Sequence, residues 1–147
     1  MMKRLAIAGS ALLAVALLSG FAFRAGPRWG KDPERVKQVV TWKLDDKLDT
    51  LDATEAQRQS IHAVKDRLFS DGVALMQEHR SARDEAFEQL ASDTPDRQKL
   101  HALVDARIEA MRAFAHKATD AALEVHGTLT PQQRKELADQ FRERMAP

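Results

Sequence analysis

From Asp32 onward the apolar positions recur every three or four residues, the spacing that gathers side chains on one side of an α-helix. Four such runs are marked off by start and stop signals. The first opens at Asp32-Pro33, an N-cap aspartate followed by a proline with no amide to leave unpaired, and carries Val36, Val39, Val40, Leu44, Leu48 and Leu51 to an end near Asp52. The second begins after Thr54 and meets no proline before Pro95. In it Ile61, Val64, Leu68, Leu75, Ala82, Ala86 and Leu90 form one stripe, and Phe69, Val73, Met76 and Phe87 form a row beside it. His79 falls within the stripe, which predicts a packed, hydrogen-bonded histidine. The third run is expected to open at Thr94-Pro95 and to pass through Leu100, Leu103, Val104, Ile108, Met111, Ala115, Ala118, Ala122 and Val125 to Gly127, a residue suited to a left-handed C-cap. The fourth extends from Pro131 to about Met145, with Leu137, Phe141 and Met145 on one side.

This pattern predicts an all-α fold of four helices. At about 1.5 Å per residue the second and third runs each span on the order of 50 Å. The turn between them, Ser92-Asp93-Thr94-Pro95, is short enough to make them antiparallel neighbours, so the fold is built on a long antiparallel helical hairpin. Two helices of that length do not bury both apolar rows of the second run. Part of the surface must therefore face the first and fourth runs, another chain or a client.

Ahead of Asp32 the chain changes character. Met1-Met2-Lys3-Arg4 is a basic start and Leu5 to Leu18 is an almost unbroken apolar run, which together read as an export signal. Residues 1–22 are thus expected to be a signal peptide cleaved after Ala22. The alternative is an uncleaved inner-membrane anchor, since uncharged residues continue from Leu5 to Phe23. Either way the domain of residues 32–147 lies in the periplasm, after a linker of residues 23–31. There is no cysteine, so disulfides, thiolate metal sites and thiol nucleophiles are excluded. Lys3 and Arg4 leave with the signal peptide, so 23 basic residues become 21 against 22 acidic ones. A near-neutral exported part offers no excess of cations for a phosphate backbone, which argues against nucleic acid as a partner.

No catalytic constellation is visible: the serines lack nucleophile-elbow glycines, and neither H-E-x-x-H nor a glycine-rich phosphate loop is present. The chain does not read as an enzyme. Its most specific motif is instead a repeated helix start. Leu129-Thr130-Pro131-Gln132-Gln133-Arg134 is echoed by Ala53-Thr54-Glu55-Ala56-Gln57-Arg58. In each, a threonine hydroxyl is placed to accept from a first-turn amide, and a glutamine three residues on is placed to reach back to the threonine amide. Thr54, Gln57, Leu129, Thr130 and Gln133 are therefore assigned to architecture.

Two such boxes in an exported all-helical chain resemble the LTxxQ-motif family of small periplasmic proteins. That family includes the Spy and CpxP chaperone and stress-adaptor proteins and the metal-responsive ZraP and CnrX branch. The second copy matches in full, and the first has Ala53 where the motif carries leucine. The resemblance implies a cradle-like antiparallel homodimer. It also implies ATP-independent binding of unfolded or misfolded envelope proteins through an amphiphilic concave face, without a required cofactor. On that reading Phe69, Met76, Phe87, Met111 and Phe114, with Arg80 and Arg83, are the candidate client-binding residues, methionine and arginine being suited to a promiscuous surface.

The metal-responsive branch gives the alternative, a sensor of zinc, nickel, cobalt or copper that signals to a membrane sensor kinase or anti-sigma regulator. No two of the five histidines are three or four residues apart, so no single helix presents a two-histidine clamp. A turn near Asp93 brings His62 opposite Glu124 and close to His126, a candidate cross-helix ligand set.

Overall fold

The computed structural model describes residues 32–145, and their side chains up to Glu143. The expected signal segment, the linker and the side chain of Met145 lie outside the described residues. The chain forms four helices, α1 (Pro33–Thr50), α2 (Glu55–Ala91), α3 (Arg97–Thr128) and α4 (Pro131–Met145), and no strand occurs among the described residues. None of these helices is long and apolar enough to cross a membrane.

Helix α1 starts as its sequence predicts, with the Asp32 carboxylate accepting from the Arg35 amide at 3.1 Å ahead of Pro33. It stops because Asp52 takes a left-handed conformation, φ 48°, which a short polar side chain tolerates better than a branched one. The turn is held by the Ala53 amide donating to the Leu48 carbonyl at 3.0 Å.

Two boundaries differ from expectation. Helix α3 is capped by Asp96 and not by Thr94, with the Asp96 carboxylate accepting from the Lys99 amide at 3.0 Å. Proline drives the residue before it out of the helical region, so the chain stays extended through Pro95 and the next side chain able to accept takes the cap. Gly127 is not a left-handed terminator: it is helical with negative φ, and α3 continues to Thr128. The helix ends there because the motif that follows starts the next one.

Helices α2 and α3 lie antiparallel. Their cross-contacts pair Arg67 with Glu124, Asp71 with Lys117, the Leu75 carbonyl with Arg107, and Glu85 with Lys99, so one number rises as the other falls. Among the described residues all eleven buried apolar side chains fall in residues 48–68 and 118–137, at the end of this pair that also carries α1 and α4. Leu48, Leu51, Ala53, Ile61, Leu129 and Leu137 form one cluster where α1, α2 and α4 meet, and Val64, Leu68, Ala118 and Ala121 form a second between α2 and α3. Each large aliphatic side chain buried there contributes about 1.5–3 kcal/mol. Alanines on α3 let the two backbones approach. Alongside, Asp66 on α2 meets Lys37 of α1 at 3.5 Å. Partial desolvation pushes its carboxyl up, but Lys65 and Lys37 outweigh this and hold it below the usual carboxylate value.

Candidate functional site: a glutamine clasp and an open face

Both threonine–glutamine boxes close. The Thr54 hydroxyl accepts from the Gln57 amide at 3.3 Å and Gln57 Oε1 accepts from the Thr54 amide at 2.9 Å. At the second copy the corresponding distances are 3.2 and 2.9 Å for Thr130 and Gln133. The boxes are also joined to each other, which no local reading of the motif reveals. Gln57 Nε2 donates to the Thr128 carbonyl and to Gln133 Oε1, both at 2.9 Å. Gln133 Nε2 donates to the Leu51 carbonyl at 3.0 Å and to Gln57 Oε1 at 3.2 Å. Each side-chain amide thus uses both donors, and each amide oxygen accepts twice. Gln57 and Gln133 each cap their own helix and tie down the segment of chain that leads into the other motif. Leu129 is buried beside this clasp, and Ala53, the smaller residue at the matching position, is buried too.

The opposite end of the α2–α3 pair is built differently. From Phe69 to Lys117 no side chain is buried. On one flank of the pair the gap between the helices is bridged by ions: Lys99 reaches Glu85 at 2.8 Å and Lys117 reaches Asp71 at 2.7 Å. Helical spacing places two other rows together on the other flank, Met76–Arg80–Arg83–Phe87–Leu90 on α2 and Arg97–His101–Val104–Ile108–Met111–Ala115 on α3. Phe87, Leu90, Val104 and Ile108 are between 54% and 64% exposed, and Met76 and Met111 are 41% and 44% exposed. Neither row contains an aspartate or glutamate. Arg107 stitches their inner edge, donating to the Leu75 carbonyl at 3.2 Å and lying 3.6 Å from Met111 Sδ.

Of the residues singled out for client binding, Met76, Arg80, Arg83, Phe87 and Met111 lie on this flank. Phe69 is half-buried, and Phe114 turns inward to pack on the Val64–Leu68–Ala118 cluster. Leu90, Val104 and Ile108 belong to the apolar runs of the second and third helices and stand in solvent. The signal that finds them is the alternating step of three and four along an acid-free row. His79 is exposed and not a packed core residue. Desolvation, then the neighbouring charges of Arg107 and Arg83, hold its imidazole below the ordinary histidine value.

The His62, Glu124 and His126 set does not assemble. His62 Nε2 lies 2.8 Å from the Asp45 carboxylate of α1, Glu124 pairs with Arg67, and His126 receives Arg134 on its carbonyl at 3.1 Å. Among the described residues no three His, Asp or Glu side chains are gathered so as to hold a metal ion. His62 and His126 instead have partners on α1 and α4, and Glu124 has Arg67 of α2.

Comparison with known families supplies the remaining fact. A family model described as heavy-metal resistance matches residues 5–136. The chain belongs to the heavy-metal resistance family. The matched span includes both threonine–glutamine boxes and the open face, and it also includes the apolar run that starts at Leu5. No curated protein and no solved structure matches the chain.

Proposed function

We propose that this heavy-metal resistance family member is an exported, ATP-independent chaperone or stress adaptor of the Spy/CpxP type. On this reading it grips non-native envelope proteins through the open face of α2 and α3. The observation that carries this is the cluster of six large apolar side chains left in solvent beside arginines, on helices whose other end is well packed. Scattered apolar contacts give a grip that is non-directional and reversible, and the arginines raise the encounter rate with acidic chain segments. No covalent chemistry is involved.

The test is suppression of aggregation of an unrelated denatured protein without nucleotide. The wild-type chain is expected to protect at near-stoichiometric ratios, and the pair Phe87→Ser with Ile108→Ser is expected to lose most protection while keeping its helical content. Full protection by that pair would remove the open face from the function.

The family's description favours a second reading, a sensor of zinc, nickel, cobalt or copper acting on a membrane regulator. Its ligands would have to come from another arrangement than His62, Glu124 and His126 as they stand here. Titration of the full chain with each metal decides it, since micromolar binding would restore the sensor. The homodimer that the resemblance implies is proposed to pair through other surfaces than the open face, and Trp42 on α1, 67% exposed, is a candidate contact.

A further inference from the structure

The open face has a charge pattern that selects its occupant. Its two rows carry Arg80, Arg83 and Arg97 among the apolar side chains, and Arg112 lies at the edge of the α3 row. Arg83 and Arg112 are joined to Asp84 at 3.2 Å and to Glu109 at 3.0 Å, acids that lie outside the two rows in the sequence pattern. A second copy of the chain pairing about a twofold axis would set this acid-free face against itself, arginine against arginine, which like-charge repulsion opposes. Apolar side chains interspersed with arginines match a surface that is apolar inside and anionic at its boundary. Long arginine side chains suit that geometry, because their stems lie on apolar surface while the guanidinium stays at the polar level.

We propose that the open face of α2 and α3 docks onto an anionic phospholipid bilayer, with Phe87, Leu90, Val104 and Ile108 entering the headgroup–acyl boundary and Arg83 and Arg97 meeting lipid phosphates. The alternative to cleavage after Ala22, a retained N-terminal anchor, would strengthen the inference. An uncleaved Leu5–Phe23 segment would sit in the membrane, and the eight residues from Arg24 to Lys31 extend at most about 28 Å, so α1 begins close to the bilayer. Such a tether converts docking into an intramolecular step, and a weak face then suffices. The proposal stands apart from the client reading, since it names a different occupant of the same face.

The chain has no cysteine, so a single introduced thiol carries one environment-sensitive fluorophore. The full chain is reconstituted into vesicles of phosphatidylcholine alone or mixed with phosphatidylglycerol, labelled either at Ile108→Cys on the open face or at Ala113→Cys on the ion-paired flank. The expected result is a blue shift for the label at 108 in anionic vesicles only, and none for the label at 113 in either. Arg83→Gln and Arg97→Gln, both on solvent-exposed positions, should each lower the docked-to-free ratio by about fivefold. The proposal is overturned if the label at 108 stays aqueous in anionic vesicles, shifts equally in neutral ones, or shifts with protein concentration in the absence of lipid. A label that responds to a denatured polypeptide but not to anionic vesicles also overturns it and leaves the chaperone reading standing. Docking to vesicles without suppression of aggregation keeps it and removes the chaperone reading.

Discussion

The two ends of the α2–α3 pair are made from the same kind of helix and differ in what covers them. At the clasped end α1 and α4 lie over the pair, Leu48, Ile61, Leu129 and Leu137 are buried, and two glutamines satisfy four backbone groups. At the open end none of the described residues lies over the pair, and residues with the same spacing and similar hydropathy remain in water. Periodicity therefore decides that a helix forms, while coverage decides whether its apolar row is core or surface. Stability should concentrate at the clasped end and binding at the open one.

The largest expected effect tests that division directly. Leu48→Ala removes a side chain only 2% exposed from the cluster joining α1, α2 and α4, and should cost about 3 kcal/mol by denaturant unfolding. Phe87→Ala deletes a larger side chain at the open end, yet should change stability by no more than about 0.5 kcal/mol. Comparable losses from the two would mean that the open end is covered in solution.

Next comes the clasp. Gln133→Leu keeps the approximate volume but strips partners from the Thr130 amide, the Leu51 carbonyl and the Gln57 side chain, and should cost about 2 kcal/mol. Thr130→Ala, which removes only the hydroxyl that accepts from the Gln133 amide, should cost about 1 kcal/mol. A thermal-melt comparison in which the two variants are equal would show that the link between the motifs adds nothing to the caps.

The contrast also shows where the sequence was readable. Caps and boxes are local: Asp32, Thr54 and Thr130 announce helix starts within four residues of themselves, and their geometry follows from the backbone pattern that any such helix start presents. The link between Gln57 and Gln133 joins positions 76 apart, and it depends on how two helix ends are docked, which no motif encodes. His62 illustrates the same limit, because its partner Asp45 comes from a helix that simple antiparallel pairing of α2 with α3 leaves out. On α3, Ile108 and Phe114 are both apolar and both fit helical spacing, so only the placement of α2 determines that the ring packs inward and the isoleucine faces water.

Gly127 offers a test of smaller size and opposite sign. A left-handed C-cap glycine resists substitution, whereas a glycine inside a helix is improved by alanine. Here the residue is helical, and a Cβ would meet nothing within 4 Å. Gly127→Ala should therefore stabilise the clasped end by about 0.5–1 kcal/mol. Destabilisation of that size would instead place the end of α3 at Gly127 and loosen the lead-in that Gln57 holds through the Thr128 carbonyl.

The smallest effect belongs to the open end and reads its electrostatics. His79 is held below its ordinary value of 6.5 by desolvation and by Arg107 and Arg83, so on acidification the unfolded chain takes up its proton before the folded one does. The stability contributed by neutral His79 is thus fully present above that value and is lost as pH falls through it toward the folded pKa. Because the side chain is exposed, the consequence for global stability is slight, and the imidazole resonance is the better observable. An NMR titration should place His79 below 6.5. Arg107→Gln should move it upward by removing one repelling charge, and it should also free the Leu75 carbonyl and Met111 sulfur at the inner edge of the face. If His79 titrates at its ordinary value in both proteins, the arginines do not converge on the open face as described, and the argument that this face seeks an anionic partner loses its electrostatic half.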